Sequence, residues 1–192
     1  MIIDERIAFV GGMNLIEGYR IGIEGRNGHA YYTDKMLKIE GPIVKNLSSV
    51  FADIYRESAH KALDQSKNHV TLFDFGAASI GVVTTCGHSY RPYFEEVLVD
   101  MFNMAKKEVL IRSPYIVLTK KVKRAIKSGI DRGVIVTFLT GAESDMSVFV
   151  EKILCYIASQ VEKLGARLIR NPGFFHHDKC IIVDKEFVFT GS

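Results

Sequence analysis

Apolar residues recur along this chain in two rhythms. Beyond residue 92, short apolar runs alternate with longer stretches of helical period. The first rhythm belongs to buried strands and the second to helices with one face on a core. Phe94, Val97, Leu98 and Met101 share one face of a helix predicted over Tyr93 to Ala105. Glu108 to Arg112 reads as a strand, Lys120 to Ile130 as a helix stopped at Asp131-Arg132-Gly133, and Val134 to Leu139 as a buried strand. Met146 to Leu164 reads as a helix ended by Gly165, and Ala166 to Arg170 as a further strand. Lys179 to Val183 and Phe187 to Phe189 form a closing pair. Strands separated by helices predict an α/β fold with a largely parallel sheet, flanked by helices on both faces.

The first part of the chain is less regular. Arg6 to Gly11 is strand-like, and the glycine-rich stretch from Gly18 to Gly28 reads as a surface loop. Gly41-Pro42 precedes a helix with Val44, Leu47, Phe51, Ile54 and Tyr55 on its apolar face. Glu57 to Asn68 is more polar and reads as a join between two lobes, followed by a strand at Ser79 to Thr85.

The two ends of the chain repeat one another. Ile2-Ile3-Asp4-Glu5-Arg6-Ile7-Ala8-Phe9-Val10-Gly11-Gly12 superposes without a gap on Ile182-Val183-Asp184-Lys185-Glu186-Phe187-Val188-Phe189-Thr190-Gly191-Ser192. Each copy has two aliphatics, an aspartate, a polar turn, an alternating apolar run and a glycine. A period this long marks two copies of a domain half rather than a solenoid.

Composition narrows the class without choosing a function. The 192 residues suit one domain or two small lobes, and the charged and apolar fractions are those of a globular protein. A net charge of +3 accepts a phosphate-bearing partner, but lacks the dense basic face of a nucleic-acid binder. Cys86, Cys155 and Cys180 are scattered, which supports neither a disulfide framework nor a zinc site and suits a reducing compartment. No apolar run has the length of a membrane span, the most apolar helix carrying Glu151 and Lys152. Lys120-Lys121-x-Lys123-Arg124 reads as a solvated helix face, and His176, His88 and Glu143 as surface or loop residues.

The chemistry lies upstream of the second copy, in His177-Asp178-Lys179-Cys180-Ile181-Ile182-Val183-Asp184. On a strand, alternate side chains share a face, so His177 and Lys179 point the same way while Asp178 points with His176 and Cys180 to the other. An imidazole and an ammonium can then converge on one phosphate.

His-x-Lys-x4-Asp followed by Gly-Ser resembles the signature of the phospholipase D superfamily, and of its cardiolipin synthase branch in particular. Gly11-Gly12-Met13-Asn14 resembles the Gly-Gly-x-Asn of the same family, Asp34 to Val44 its sequence after the first motif, and Arg112-Ser-Pro-Tyr115 its Ser-Pro-Tyr strand end. The resemblance implies parts of two repeated lobes: 1–68 as the C-terminal part of the first, and 69–192 as the N-terminal part of the second. It implies a catalytic histidine from each repeat, one forming a phosphohistidine and the other protonating the leaving alcohol. His177 would take one of these roles, with Lys179 on the phosphate oxygens. Asp184 belongs to the catalytic motif, and it and Asp4 would order the motif loops. Asn14 and Ser192 would donate to phosphate. No metal or other cofactor is implied. Asp178 departs from the family, where that position is small or neutral, and is tolerable only if it faces away.

Set on the repeat, Met1 matches Ile181, so a first His-x-Lys is expected just upstream of Met1 and the asparagine of Gly-Ser-x-Asn just beyond Ser192. The chain is therefore expected to be cut within both motifs and to have little transferase activity alone, unless a homodimer pairs two copies of His177. The function the resemblance implies is transfer of a phosphatidyl group between phosphatidylglycerols at the cytoplasmic face of a cell membrane. A phospholipase D, a phosphodiesterase or nuclease of the same superfamily, and an inactive remnant are the alternatives.

Overall fold

The computed structural model describes residues 1–14, 16–17, 23–25, 28–61, 76, 78–84, 93–116, 118–141 and 148–191. The chain forms two compact units that interleave along the sequence: residues 1–10 with 36–96, and residues 11–35 with 97–192.

In the first unit, β1 (Ile2–Ile3) and β2 (Ile7–Gly11) form an antiparallel hairpin, and β5 (Met36–Glu40) extends the sheet in the order β1-β2-β5. The helix α1 (Ile43–Ala59) follows Gly41, whose φ of +103° suits glycine. Val44 of α1 meets Ala8 and Ile39 in a small core. The remainder of the expected apolar face stays in solvent: Phe51, Ile54 and Tyr55 are exposed, and the Phe51 and Tyr55 rings stack one helical turn apart. The strand expected at Ser79 to Thr85 is not formed. Residues 78–84 have no regular structure, and Ile80, Val82 and Val83 are exposed, while Thr85 lies outside the described residues.

The second unit carries a five-stranded sheet in the order β11-β10-β6-β7-β8. Its strands are β6 (Glu108–Arg112), β7 (Ile135–Gly141), β8 (Arg167–Asn171), β10 (Lys179–Val183) and β11 (Phe187–Gly191). Between them run α2 (Tyr93–Met104), α3 (Lys120–Asp131) and α4 (Val148–Lys163). The helices begin and end where local chemistry directs. Thr119 caps α3 by accepting from the Val122 N–H, and Gly133 and Gly165 take positive φ just beyond α3 and α4.

The sheet is parallel across β6, β7 and β8 but antiparallel at β6·β10 and β10·β11. The parallel part is thus about half of it. The tight turn between β10 and β11 forces the antiparallel pairing.

One face of this sheet is well covered. Val109, Ile111, Val136, Phe138, Ile181 and Val183 alternate inward and pack with Met101, Phe102, Val122, Ile126 and Val161 of the helices. The opposite face departs from expectation, with Leu110, Ile135, Ile169 and Val188 all exposed. Alternation identifies both faces as apolar but says nothing of what covers each.

The repeat seen in sequence is also a repeat in structure. In β1–β2, Ile3 pairs with Ile7 and Ile2 with Ala8; in β10–β11, Val183 pairs with Phe187 and Ile182 with Val188. Both turns place two successive residues at positive φ: Asp4 and Glu5 in one, Asp184 and Lys185 in the other. In each three-residue loop the left-handed pair sits inside a tight turn, closed by the Arg6 N–H on the Ile3 carbonyl in one and the Glu186 N–H on the Val183 carbonyl in the other.

A third sheet was not expected. β3 (Ile23–Gly25) lies inside the stretch read as a loop and forms a hairpin with β4 (Gly28–Thr33), which starts at the last residue of that stretch and pairs in parallel with β9 (Phe174–His176). Among the described residues no helix is long and apolar enough to cross a membrane.

Candidate active site

The parallel pairing of β4 with β9 builds the site. Tyr31, Tyr32 and Thr33 lie beside Phe174, Phe175 and His176, and the ladder continues as the His177 N–H donates to the Thr33 carbonyl at 2.9 Å. Asp34, the residue after β4, is thereby laid against His177, the residue after β9.

His177 Nδ1 donates to Asp34 Oδ2 at 2.9 Å, and the Asp34 side chain is fully buried. A carboxylate on Nδ1–H fixes the tautomer and puts the ring's lone pair on Nε2. Lys179 Nζ stands 3.2 Å from that Nε2 and donates to the His177 carbonyl at 2.8 Å. Phe175 stacks on the imidazole at 6.0 Å and Tyr32 meets it edge-on at 6.2 Å, so the ring is walled by aromatic surface. The imidazole remains 20% exposed and so within reach of a ligand. Gly12 completes the arrangement: a Cβ placed there would lie 3.0 Å from Asp34 Oδ2.

Asp178 faces away from this arrangement. Its carboxylate is buried and ion-paired with Arg112 at 2.8 Å and Lys35 at 3.5 Å. His176 is not a surface residue. It is 4% exposed, because its ring nitrogens meet Thr33 and Arg112 on one side and Asn171 on the other. Burial, reinforced by the Arg112 guanidinium, pushes the His176 pKa below its ordinary value.

Asp184 stands at the far end of β10, roughly 17 Å from Lys179 at the usual rise of a strand. It accepts from the N–H groups of Lys106, Lys107 and Glu108, each at 2.8 Å, and donates its own N–H to the Glu108 carbonyl. These backbone donors, Glu108 first, lower its pKa. It therefore ties the hairpin turn to the start of β6 and takes no part in contacts with His177. Asp4 occupies the matching turn of the other unit. Asn14 is exposed in the segment just beyond Gly12. Ser192, Cys86, His88 and Glu143 lie outside the described residues. Arg112 ends β6, and the Ser113 hydroxyl donates to the Tyr115 carbonyl at 2.8 Å, shaping the turn that follows. Among the described residues no group of three His, Cys, Asp or Glu side chains is placed to hold a metal ion.

Sequence reasoning missed Asp34 as an individual site residue. It stood within a segment resembling the family, but its partner is 143 residues away and no local spacing marks it.

The site thus consists of an imidazole oriented by a buried carboxylate in the link between β9 and β10, with the ammonium of Lys179, the first residue of β10, beside it. Residues 98–192, the second half of the chain, match the family described as "Cardiolipin synthase, PLD-like domain". Over 195 residues it is 27% identical to a protein named cardiolipin synthase A from Buchnera aphidicola subsp. Acyrthosiphon pisum (strain Tuc7), covering 100% of this chain and 40% of that one. Over 193 residues it is 26% identical to a cardiolipin synthase from Listeria monocytogenes serotype 4a (strain HCC23), covering 100% and 39%. The chain thus spans about two fifths of the length of these curated relatives. A solved phosphatidylserine synthase from Haemophilus influenzae Rd KW20 shares the fold, with a TM-score of 0.55 and 14% identity over 96% of this chain and 51% of that one.

Proposed function

We propose that His177 and Lys179 form one half of a phosphatidyl-transfer centre of cardiolipin synthase type. The observation that carries this reading is the imidazole held at 2.9 Å by the buried Asp34, with the Lys179 ammonium 3.2 Å from its other nitrogen. Nε2 attacks the phosphorus of a phosphatidylglycerol, forming a P–N bond as the P–O bond to the glycerol headgroup breaks. The leaving alkoxide takes a proton from a second acid, in this family a histidine of the other repeat. A hydroxyl of a second phosphatidylglycerol then attacks the phosphorus, gives up its proton to the same group, and breaks the P–N bond. Lys179 moves its hydrogen bond from Nε2 to a phosphate oxygen and offsets the charge developing there. Asp34 stabilises the imidazole while its other nitrogen is bonded to phosphorus. The reaction takes place at a membrane surface, on its cytoplasmic face.

The reading is tested by incubating the protein with phosphatidylglycerol, quenching, and mapping a phosphatidyl adduct by mass spectrometry. An adduct on His177, lost in His177→Ala, is expected, with glycerol released as it forms and only slow onward transfer to cardiolipin while the second acid of the centre is missing. Turnover without an adduct on His177 would overturn the nucleophile assignment. Phosphatidic acid as the main product would favour the phospholipase D reading, and cleavage of oligonucleotides the nuclease reading.

A further inference from the structure

Behind His177 lies a second polar cluster that the transfer reaction does not use. Two tripeptides run side by side, and their side chains pair in register. Thr33 meets His176, Asp34 meets His177, and Lys35 meets Asp178. Arg112 closes the cluster from β6. Its Nε lies 2.8 Å from Asp178 Oδ1, while Nη2 donates to Thr33 Oγ1 at 2.9 Å and reaches His176 Nδ1 at 2.7 Å.

A carboxylate one residue from a phosphate-seeking imidazole is a hazard. Turned toward the phosphate it would repel it, and buried without a partner it would be costly. Here the Asp178 side chain is 2% exposed and meets two cations, leaving the ion cluster with one net positive charge on the side away from Lys179. Such a cluster fixes the backbone of the His-x-Lys turn from three elements at once. It also places a defined charge behind the imidazole in a poorly hydrated region, where Coulomb effects persist.

We propose that Arg112 and Lys35 clamp Asp178 to the reverse side of the His-x-Lys turn, making all three positioning residues that orient His177 and set its proton affinity. Among the described residues, the other charged or titratable groups that face His177 include Tyr32 of β4, Asp34 just after it and Lys179 of β10, with His176 in the cluster itself. The inference rests on His177 being the reacting imidazole, but the cluster's coupling to it can be read without any substrate.

The test is a nitrogen-15 NMR titration of the His177 ring in the substrate-free protein. Asp178→Asn removes the anion and leaves the cations, so the midpoint should fall by roughly half a unit to one unit. Arg112→Gln should raise it by a similar amount, and the double variant should lie between the two. Lys35→Met should raise it by about a few tenths of a unit, less because the ammonium is half exposed. Identical midpoints in all variants, or shifts of one sign in all of them, would overturn the proposal, since a turn that had merely loosened has no reason to follow the sign of the removed charge. If the buried variants do not fold, Lys35→Met on the surface still decides: an unmoved midpoint there refutes the coupling. A coupled imidazole in a protein that transfers no phosphatidyl group would sink the functional reading and leave this one standing.

Discussion

Gly12 and Asp34 approach so closely that a methyl group on the first would stand 3.0 Å from a carboxylate oxygen of the second. The glycine of the Gly-Gly-x-Asn motif is therefore part of the mounting of His177. Gly12→Ala should push the Asp34 carboxylate by a few tenths of an ångström and lengthen its bond to Nδ1. Small misplacements of catalytic groups are costly in rate. A fall of roughly tenfold in kcat, with KM little changed, is expected in steady-state phosphatidyl transfer. Unchanged kcat would mean that the carboxylate yields without disturbing the imidazole.

Asp34→Asn keeps the shape and removes the charge. An amide can present its N–H to Nδ1 and favour the wrong tautomer, as well as losing the charge that stabilises the substituted ring. Loss of about 10²- to 10⁴-fold in kcat is expected. Measurement of phosphohistidine formation in a single turnover checks it, since the defect should appear in adduct formation rather than in lipid binding.

Lys179→Met removes the ammonium that faces Nε2. About 10²- to 10³-fold should be lost from kcat/KM, as for other groups that stabilise developing oxyanion charge. Lys179→Arg should recover part of it, because the charge is kept while the point geometry of an ammonium is not. Equal losses in both variants would show that position, not charge, is what matters.

Two groups should make stability depend on pH in separate windows. His176 has its pKa lowered in the folded state, so the unfolded chain binds the extra proton first. Stability should fall as pH drops below about 6.5, the ordinary histidine value, and be flat above it. Asp184 also has a lowered pKa, and its contribution should be full above about 3.9 and lost as pH falls through its folded value. Thermal unfolding followed from pH 8 to pH 3 should show both limbs. His176→Gln should remove the upper limb and Asp184→Asn the lower, with a lower thermal midpoint at pH 7 for Asp184→Asn because its N–H partners lose an anionic acceptor.

Much of the second unit was legible from periodicity. The strand at Glu108 to Arg112 has the predicted ends, and the helices before and after it fall within a residue or so of theirs. The meeting of His177 with Lys179 was anticipated, but not the backbone that brings it about: alternation along one strand was expected, whereas His177 and Asp178 lie in the irregular link between β9 and β10. Asp34 was not anticipated, and neither were β4 and β9. Those strands are short, rich in Tyr, Phe and His, and held by a partner far along the chain, which no window of sequence samples. His176 was misread for a related reason: an imidazole beside another imidazole suggests solvent, and only Thr33, Arg112 and Asn171 together make its burial tolerable. The exposed face of the sheet shows the limit of alternation, which tells apolar from polar sides but not which side is occupied.

The bond between Asp34 and His177 spans 143 positions. A growing polypeptide releases the carboxylate long before the imidazole, and no local turn can bring them together. Closing so large a loop belongs to the slow, final stage of structure acquisition. The nascent protein should therefore hold most of its helices before the imidazole gains the carboxylate that orients it.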